Sequence, residues 1–292
     1  MTPHKTQLKT QLQNALHKRA VCQLQALCLV NGSMDDIPDV VIHEYDKHCF
    51  IQTASLAADK YIPDIIEILR ATRQPKSIWL KNHCELRQKR ALSLNDCVLW
   101  GEAPQEIEIV EDAFVFRYPT DSKSLWPVSE RTLRSAVQQW KTQNSKSAFL
   151  YISPPTAFGA NTLFTPNRNV ILDAPHWAEV CDTLRKFPHG DTYPLGVLSL
   201  PPIFASEKNK KALFHVLYQI LHVLNSDAEL WLTLFASDHW LLGLLQKAAN
   251  SQKKNLVLRA SSCGEVDFPI PLHTKNKWLP TLFKLRCFPQ PQ

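Results

Sequence analysis

"YPLGVLSLPPIFASEKNK", residues 193–210, decides the fold class. Val197, Leu198 and Leu200 form the apolar run of a buried strand. Pro201 and Pro202 lack backbone N–H groups and end the pairing. The chain then turns helical in "KKALFHVLYQILHVL". Strand, rigid corner, helix is the unit of an open α/β sheet, and such sheets place their chemistry at the carboxyl ends of the strands. This corner carries Leu200, where a catalytic corner would want a polar group.

Working outward, helix and strand alternate from Ser129 to the C-terminus. "SERTLRSAVQQWKTQ" reads as a helix, "SAFLYIS" and "NVILDAP" as strands, and "WAEVCDTLRKF" as a helix. "ELWLTLFAS" is a strand, "HWLLGLLQKAAN" a helix, and "NLVLRASS" and "TLFKLRCF" complete a mostly parallel sheet with helices on both faces. Residues 21–118 read differently. Short strands ("VVIHEY", "HCFIQTA", "SIWLKN", "CVLWG", "AFVFRYP") surround one helix, "IPDIIEILRATR". The spacing therefore predicts an N-terminal helical arm (1–20), a small α+β domain (21–118), and an α/β domain (125–292) after the linker "TDSKSLWPV".

Composition narrows the function classes. No apolar run approaches the roughly 20 residues that span a bilayer, and the N-terminus has no apolar signal core, so the chain is expected in the cytoplasm. Eight scattered cysteines contain no Cys-x-x-Cys pair, and no metal or disulfide framework is expected. Only seven glycines occur, with no Gly-x-Gly loop, so neither a P-loop nor a dinucleotide fingerprint is present. The net charge of +6 is concentrated: Arg70, Arg73, Lys76, Lys81, Arg87, Lys89 and Arg90 stand against Glu85 alone. Gathered on one surface, these cations would bind RNA; the alternative is a solvated basic face without a ligand.

Several motifs carry a family resemblance. Asn31, Gly32, Asp35, Pro38, Ile42 and Tyr45 in "LVNGSMDDIPDVVIHEYDKHCFIQ", then "LPPIFA", "DFPI" (267–270) and Trp278-Leu279 recur in order. The chain resembles the bacterial 23S ribosomal RNA methyltransferases that make 5-methylcytosine from S-adenosylmethionine. The resemblance implies a Rossmann-like class I methyltransferase sheet preceded by a small α+β domain. It also implies S-adenosylmethionine as cofactor and RNA, ribosomal in that family, as partner.

The resemblance places the cofactor at Asp173, Arg131, Thr156, Ala157, Phe158 and Pro201. Asp173, ending "VILD", would hold the ribose hydroxyls; its other reading is a helix N-cap beside Pro175. Arg131 would reach cofactor or RNA, or is a surface arginine of a helix. The family's Tyr-Thr-Gly-Gly-Phe is Pro154-Pro155-Thr156-Ala157-Phe158 here, which puts two Cβ atoms where the methionine end of the cofactor approaches bare backbone. The reaction itself needs a cysteine thiolate to add to cytosine carbon-6 and an acid beside the ring. Those positions are Ala236 and Leu200. Asp238 and Cys263 are the nearest replacements, and each also reads as structural. The sequence thus describes an S-adenosylmethionine-dependent methyltransferase that is catalytically impaired, a pseudoenzyme. The alternative is a non-catalytic RNA-binding or protein-interaction scaffold on the same fold.

Overall fold

The structure is a computed structural model. It describes residues 3–20, 22, 24–111, 114–122, 125, 131–153, 169–173, 177–186, 193–199, 210–235, 239–263 and 280–289. The chain divides into two compact units, with the division at Val128–Ser129.

The first unit opens with α1 (Pro3–Lys18) and builds a five-stranded sheet from β1 (Ala26–Asn31), β2 (Val40–Tyr45), β3 (His48–Thr53), β4 (Ser77–Lys81) and β5 (Asp96–Gly101), in that spatial order. Neighbours are antiparallel except β3 and β4, which are parallel. That parallel pair needs a crossover, supplied by α2 (Leu56–Asp59) and α3 (Ile62–Thr72). Pro63 sits in the first turn of α3, where its missing N–H costs nothing. A short α4 (Glu85–Lys89) and a separate hairpin of β6 (Glu106–Glu111) and β7 (Phe114–Pro119) complete the unit. Two strands exceed those expected from the sequence, β1 and β6.

The expected arm is part of this unit. Leu8, Leu12, Ala15 and Leu16 of α1 enter the same core as Leu27, Ile42, Ile51 and Leu69. A buried ion pair fixes the helix end: Arg19, 1% exposed, donates to both carboxylate oxygens of Asp35, at 3.0 and 2.7 Å. Asp35 also accepts from the Asn31 backbone N–H, and Gly32 takes φ +56°, a left-handed conformation that glycine adopts without a Cβ clash. Tyr45 is fully buried among Phe50 and Tyr118 and bonds the His43 ring across 2.7 Å. These four residues of the Asn-Gly…Tyr stretch, Asn31, Gly32, Asp35 and Tyr45, therefore hold structure.

The second unit is a six-stranded sheet with helices. It comprises α5 (Arg131–Gln143), β8 (Phe149–Ser153), β9 (Asn169–Asp173), α6 (Trp177–Arg185), β10 (Tyr193–Ser199), α7 (Lys210–Val223), β11 (Leu224–Phe235), α8 (His239–Ser251), β12 (Lys254–Cys263) and β13 (Pro280–Pro289). The spatial order is β12-β13-β11-β10-β8-β9. Strands β9, β8, β10 and β11 are mutually parallel, and β13 runs antiparallel between β11 and β12. Alternate residues serve opposite faces. Leu150, Leu198, Leu230 and Leu232 meet α6, α7 and α8, while Phe149, Tyr151, Leu195, Val197 and Trp231 meet Leu133 and Val137 of α5. Both faces are covered, which is why these strands read as nearly continuous apolar runs.

Candidate functional site

The chain passes from β8 to β9 on one side and returns to β10 on the other. That reversal is a topological switch point, and open α/β sheets bind ligands outside the carboxyl ends of the strands at such points. The register aligns those ends. Ser153 of β8 pairs with Asp173 of β9, Ile152 with Leu198 of β10, and Ser199 with Thr233 of β11. Four strands therefore finish along one sheet edge. The chain segments that follow these ends begin with Pro154, Ala174, Leu200 and Ala236.

The expected cofactor residues stand as follows. Asp173 is the last residue of β9 and lies on this edge. Arg131 is the first residue of α5 and is half-buried. Thr156, Ala157, Phe158 and Pro201 lie outside the described residues, as do Leu200, Ala236 and Asp238. An acidic residue at the end of the second strand is of the type that holds ribose hydroxyls in nucleoside-binding sheets. At the methionine half of the cofactor the sequence departs from the glycine pair such a cradle uses.

The basic segment is placed in full, and it does not form one solvent-facing surface. Lys81 is 1% exposed and donates to Asp96 and to the Ser122 carbonyl oxygen. Arg87 is 2% exposed and grips Asp59 with two nitrogens, while its Nε donates to the Ser93 carbonyl. Thr53, Asn82 and Asp96 extend this buried polar network across β3, β4 and β5. Arg73 forks onto Glu44, Lys76 pairs with Asp46, and Arg90 reaches Asp39 and the Ala54 carbonyl. The cationic run is therefore corrected: Arg73, Lys76, Lys81, Arg87 and Arg90 neutralise carboxylates of the same unit, and Lys81 and Arg87 are interior. A sequence run shows charge of one sign, whereas the pairing acids come from strands, turns and the α2 helix 15 to 51 residues away. Lys89 is exposed, and the Arg70 guanidinium lies over the Trp100 ring, 5.0 Å from its centroid.

Arg70 and Trp100 share a surface cleft of about 500 Å³ with Glu67, Gln74 and Pro75. The tryptophan escaped the sequence reading because only the sheet brings β5 beside α3. A second cleft, of about 590 Å³, includes His48 and Lys76. There the Trp79 indole N–H donates to the Ser77 hydroxyl oxygen at 2.8 Å, and Ser77 bonds His48 Nδ1 at 2.7 Å. Burial, and then the Lys76 charge, hold the His48 imidazole below its ordinary pKa. Ser77 is fully buried, so this pair holds structure and offers no nucleophile. Among the described residues no group of three or more His, Cys, Asp or Glu is placed to hold a metal ion, and no helix is long and apolar enough to cross a membrane.

No family model matches the chain. A curated relative, ribosomal RNA large subunit methyltransferase I of Tolumonas auensis, is 27% identical over 101 residues, which is 35% of this chain and 25% of the relative. The match thus spans a quarter of that protein's length. Among solved structures, a Streptococcus mutans protein assigned as a SAM-dependent methyltransferase superposes with TM-score 0.76 at 14% identity, covering 98% of this chain and 82% of its own. Another assigned methyltransferase, solved with S-adenosylhomocysteine, gives TM-score 0.73 at 15% identity over 97% of this chain and 81% of its own. Trm5b of Pyrococcus abyssi gives 0.52 at 11% identity over 83% of this chain and 73% of its own. The fold is that of the Rossmann-like S-adenosylmethionine-dependent methyltransferases. The sequence match supports the ribosomal RNA methyltransferase resemblance carried by the motifs.

Proposed function

We propose that this chain is an RNA-directed protein of the S-adenosylmethionine-dependent methyltransferase fold, cytoplasmic, and impaired in cytosine-5 methylation. One observation carries the reading: the ends of β8, β9, β10 and β11 line a single sheet edge, and the residues following β10 and β11 are Leu200 and Ala236. Neither side chain can add to cytosine carbon-6 or hold a proton beside the ring. S-adenosylmethionine, when bound, supplies an electrophilic methyl group. By the family resemblance Asp173 is the residue for its ribose hydroxyls, and Arg131, Phe158 and Pro201 are the other cofactor positions. Thr156 and Ala157 stand in the sequence where the family has glycines, after Pro154 and Pro155 with their fixed φ, so weak binding is expected. A ribosomal RNA is the favoured partner class, by analogy with the curated relative.

The test is calorimetric titration with S-adenosylmethionine and S-adenosylhomocysteine, paired with tritium transfer onto ribosomal RNA. Little heat and no transfer are expected. Sub-micromolar affinity that disappears in Asp173→Ala would overturn the cofactor part. Turnover by the wild type would overturn the impaired reading outright. Absence of RNA binding would favour the protein-interaction scaffold.

A further inference from the structure

We propose that the cleft between α3 and β5 holds an unpaired nucleobase of RNA, stacked against the Trp100–Arg70 wall with its edge read by Gln74 and Glu67. The proposal rests on the RNA-directed reading above and locates a contact for it away from the sheet edge. Glu67 and Arg70, three residues apart, share one side of α3, and Gln74 beyond the helix cap lines the same cleft. That side faces Trp100 across a cleft of about 500 Å³, within the usual range for small-ligand sites. Trp100 is half-buried, with its body packed against the core of the first unit, so the ring is held rigidly. Arg70 offers a second planar, cationic surface over the ring. Aromatic rings and guanidinium planes are the surfaces on which splayed-out bases stack.

Gln74 supplies an independent observation. It follows the Arg73 cap of α3 with φ +48°. This is the left-handed position where helices favour glycine, and a side chain there is strained. Gln74 lines the cleft, and a glutamine side chain can bring one acceptor and two donors to a base edge. Glu67 adds an acceptor suited to an exocyclic amine. A carboxylate beside a single arginine disfavours a bare phosphate site and favours a base.

The experiment measures binding of a short labelled single-stranded oligoribonucleotide to the full chain by fluorescence anisotropy, with unlabelled mononucleotides as competitors. Trp100→Ala should weaken binding about tenfold, since base stacking is worth roughly 1–3 kcal/mol, and Trp100→Phe should recover most of it. Arg70→Gln should lower affinity and reduce the salt slope. Gln74→Gly separates function from structure: it should raise the melting temperature while weakening RNA binding. That variant and Arg70→Gln keep the test decisive even where Trp100→Ala fails to fold. Wild-type affinity in both would overturn the subsite and leave the RNA-directed reading standing. No binding of any RNA by the wild type would overturn both. Displacement by a mononucleotide as effective as the oligonucleotide would show a free nucleotide to be the ligand and overturn the RNA assignment.

Discussion

Replacing Arg87 with methionine tests whether the basic run is interior framework or nucleic-acid contact. The guanidinium donates to Asp59 at 2.8 and 3.3 Å, to the Ser93 carbonyl at 2.9 Å and to the Thr53 hydroxyl at 3.2 Å. Methionine keeps most of the stem volume and removes every donor. Breaking a buried ion pair costs about 3–5 kcal/mol, because the surviving partner is left uncompensated. Here that partner, Asp59, is 27% exposed at its side chain and rehydrates in part, which moves the expectation to about 3 kcal/mol. At a few degrees per kcal/mol for a unit of this size, the melting temperature should fall by roughly 10 °C. Urea unfolding followed by circular dichroism gives the free energy. Asp59→Asn in the Arg87→Met background should recover part of the loss, since it removes the unpaired charge. Lys89→Met, on the exposed neighbour, should stay within about 0.5 kcal/mol of wild type. A loss below about 1 kcal/mol in Arg87→Met, together with reduced RNA affinity, would refute the framework argument.

Further outcomes are expected. Burial pushes the Asp59 carboxyl up, but hydrogen bonds from Arg87 and Thr53 and the Arg87 charge outweigh it and hold the group below its ordinary value of 3.8. Its contribution to stability is therefore present above about pH 4 and lost as pH falls through the lowered native value, so the gap between wild type and Arg87→Met should shrink on acidification; a constant gap would contradict this. Gly101→Ala should cost at least about 2 kcal/mol in urea unfolding, because φ is +77° and the added Cβ would overlap the Lys76 carbonyl oxygen. On the proposed function, the paired change Leu200→Asp and Ala236→Cys should leave tritium transfer at background, because it restores groups for the base and leaves Thr156 and Ala157 in place of the glycine pair for the methyl donor. Turnover in the double variant alone would show the cofactor pocket to be intact.

The sequence made the second unit legible because its strands are buried on both faces. Leu195, Val197 and Leu198 leave no polar residue to blur the run, and prolines and helix periodicity mark where each element stops. The first unit was legible in α1, α3 and five strands, while the short helices α2 and α4 and two strands were not. β6, "EIEIVE", alternates buried and exposed residues, but it only becomes a strand by pairing with β7 across the intervening turn. β1 is an apolar run whose partner β2 lies beyond a 3₁₀ turn. Charge was the least legible feature. Asp59, Asp96 and Glu44 gave no sign that they would meet Arg87, Lys81 and Arg73, because those meetings are made by the β3–β4 crossover and the β5 edge.

Fold and chemistry rest on different residues in this chain. Packing is carried by the alternating faces of β8, β10 and β11, where loss of a side chain opens a cavity. Catalysis in such a sheet is carried by whatever follows the strand ends, where substitution leaves the core untouched. An acid held at a strand end away from water is costly unless it is paired or working, so an apolar residue is the more stable choice once the acid has no role. Leu200 continues the apolar character of the β10 sequence, and Ala236 follows β11 as a small apolar residue. A TM-score of 0.76 at 14% identity is therefore what a sheet retaining its core and changing its edge would give, whether or not it still transfers a methyl group. Activity is therefore to be decided at the strand ends by the titration and transfer assays, and not by the fold.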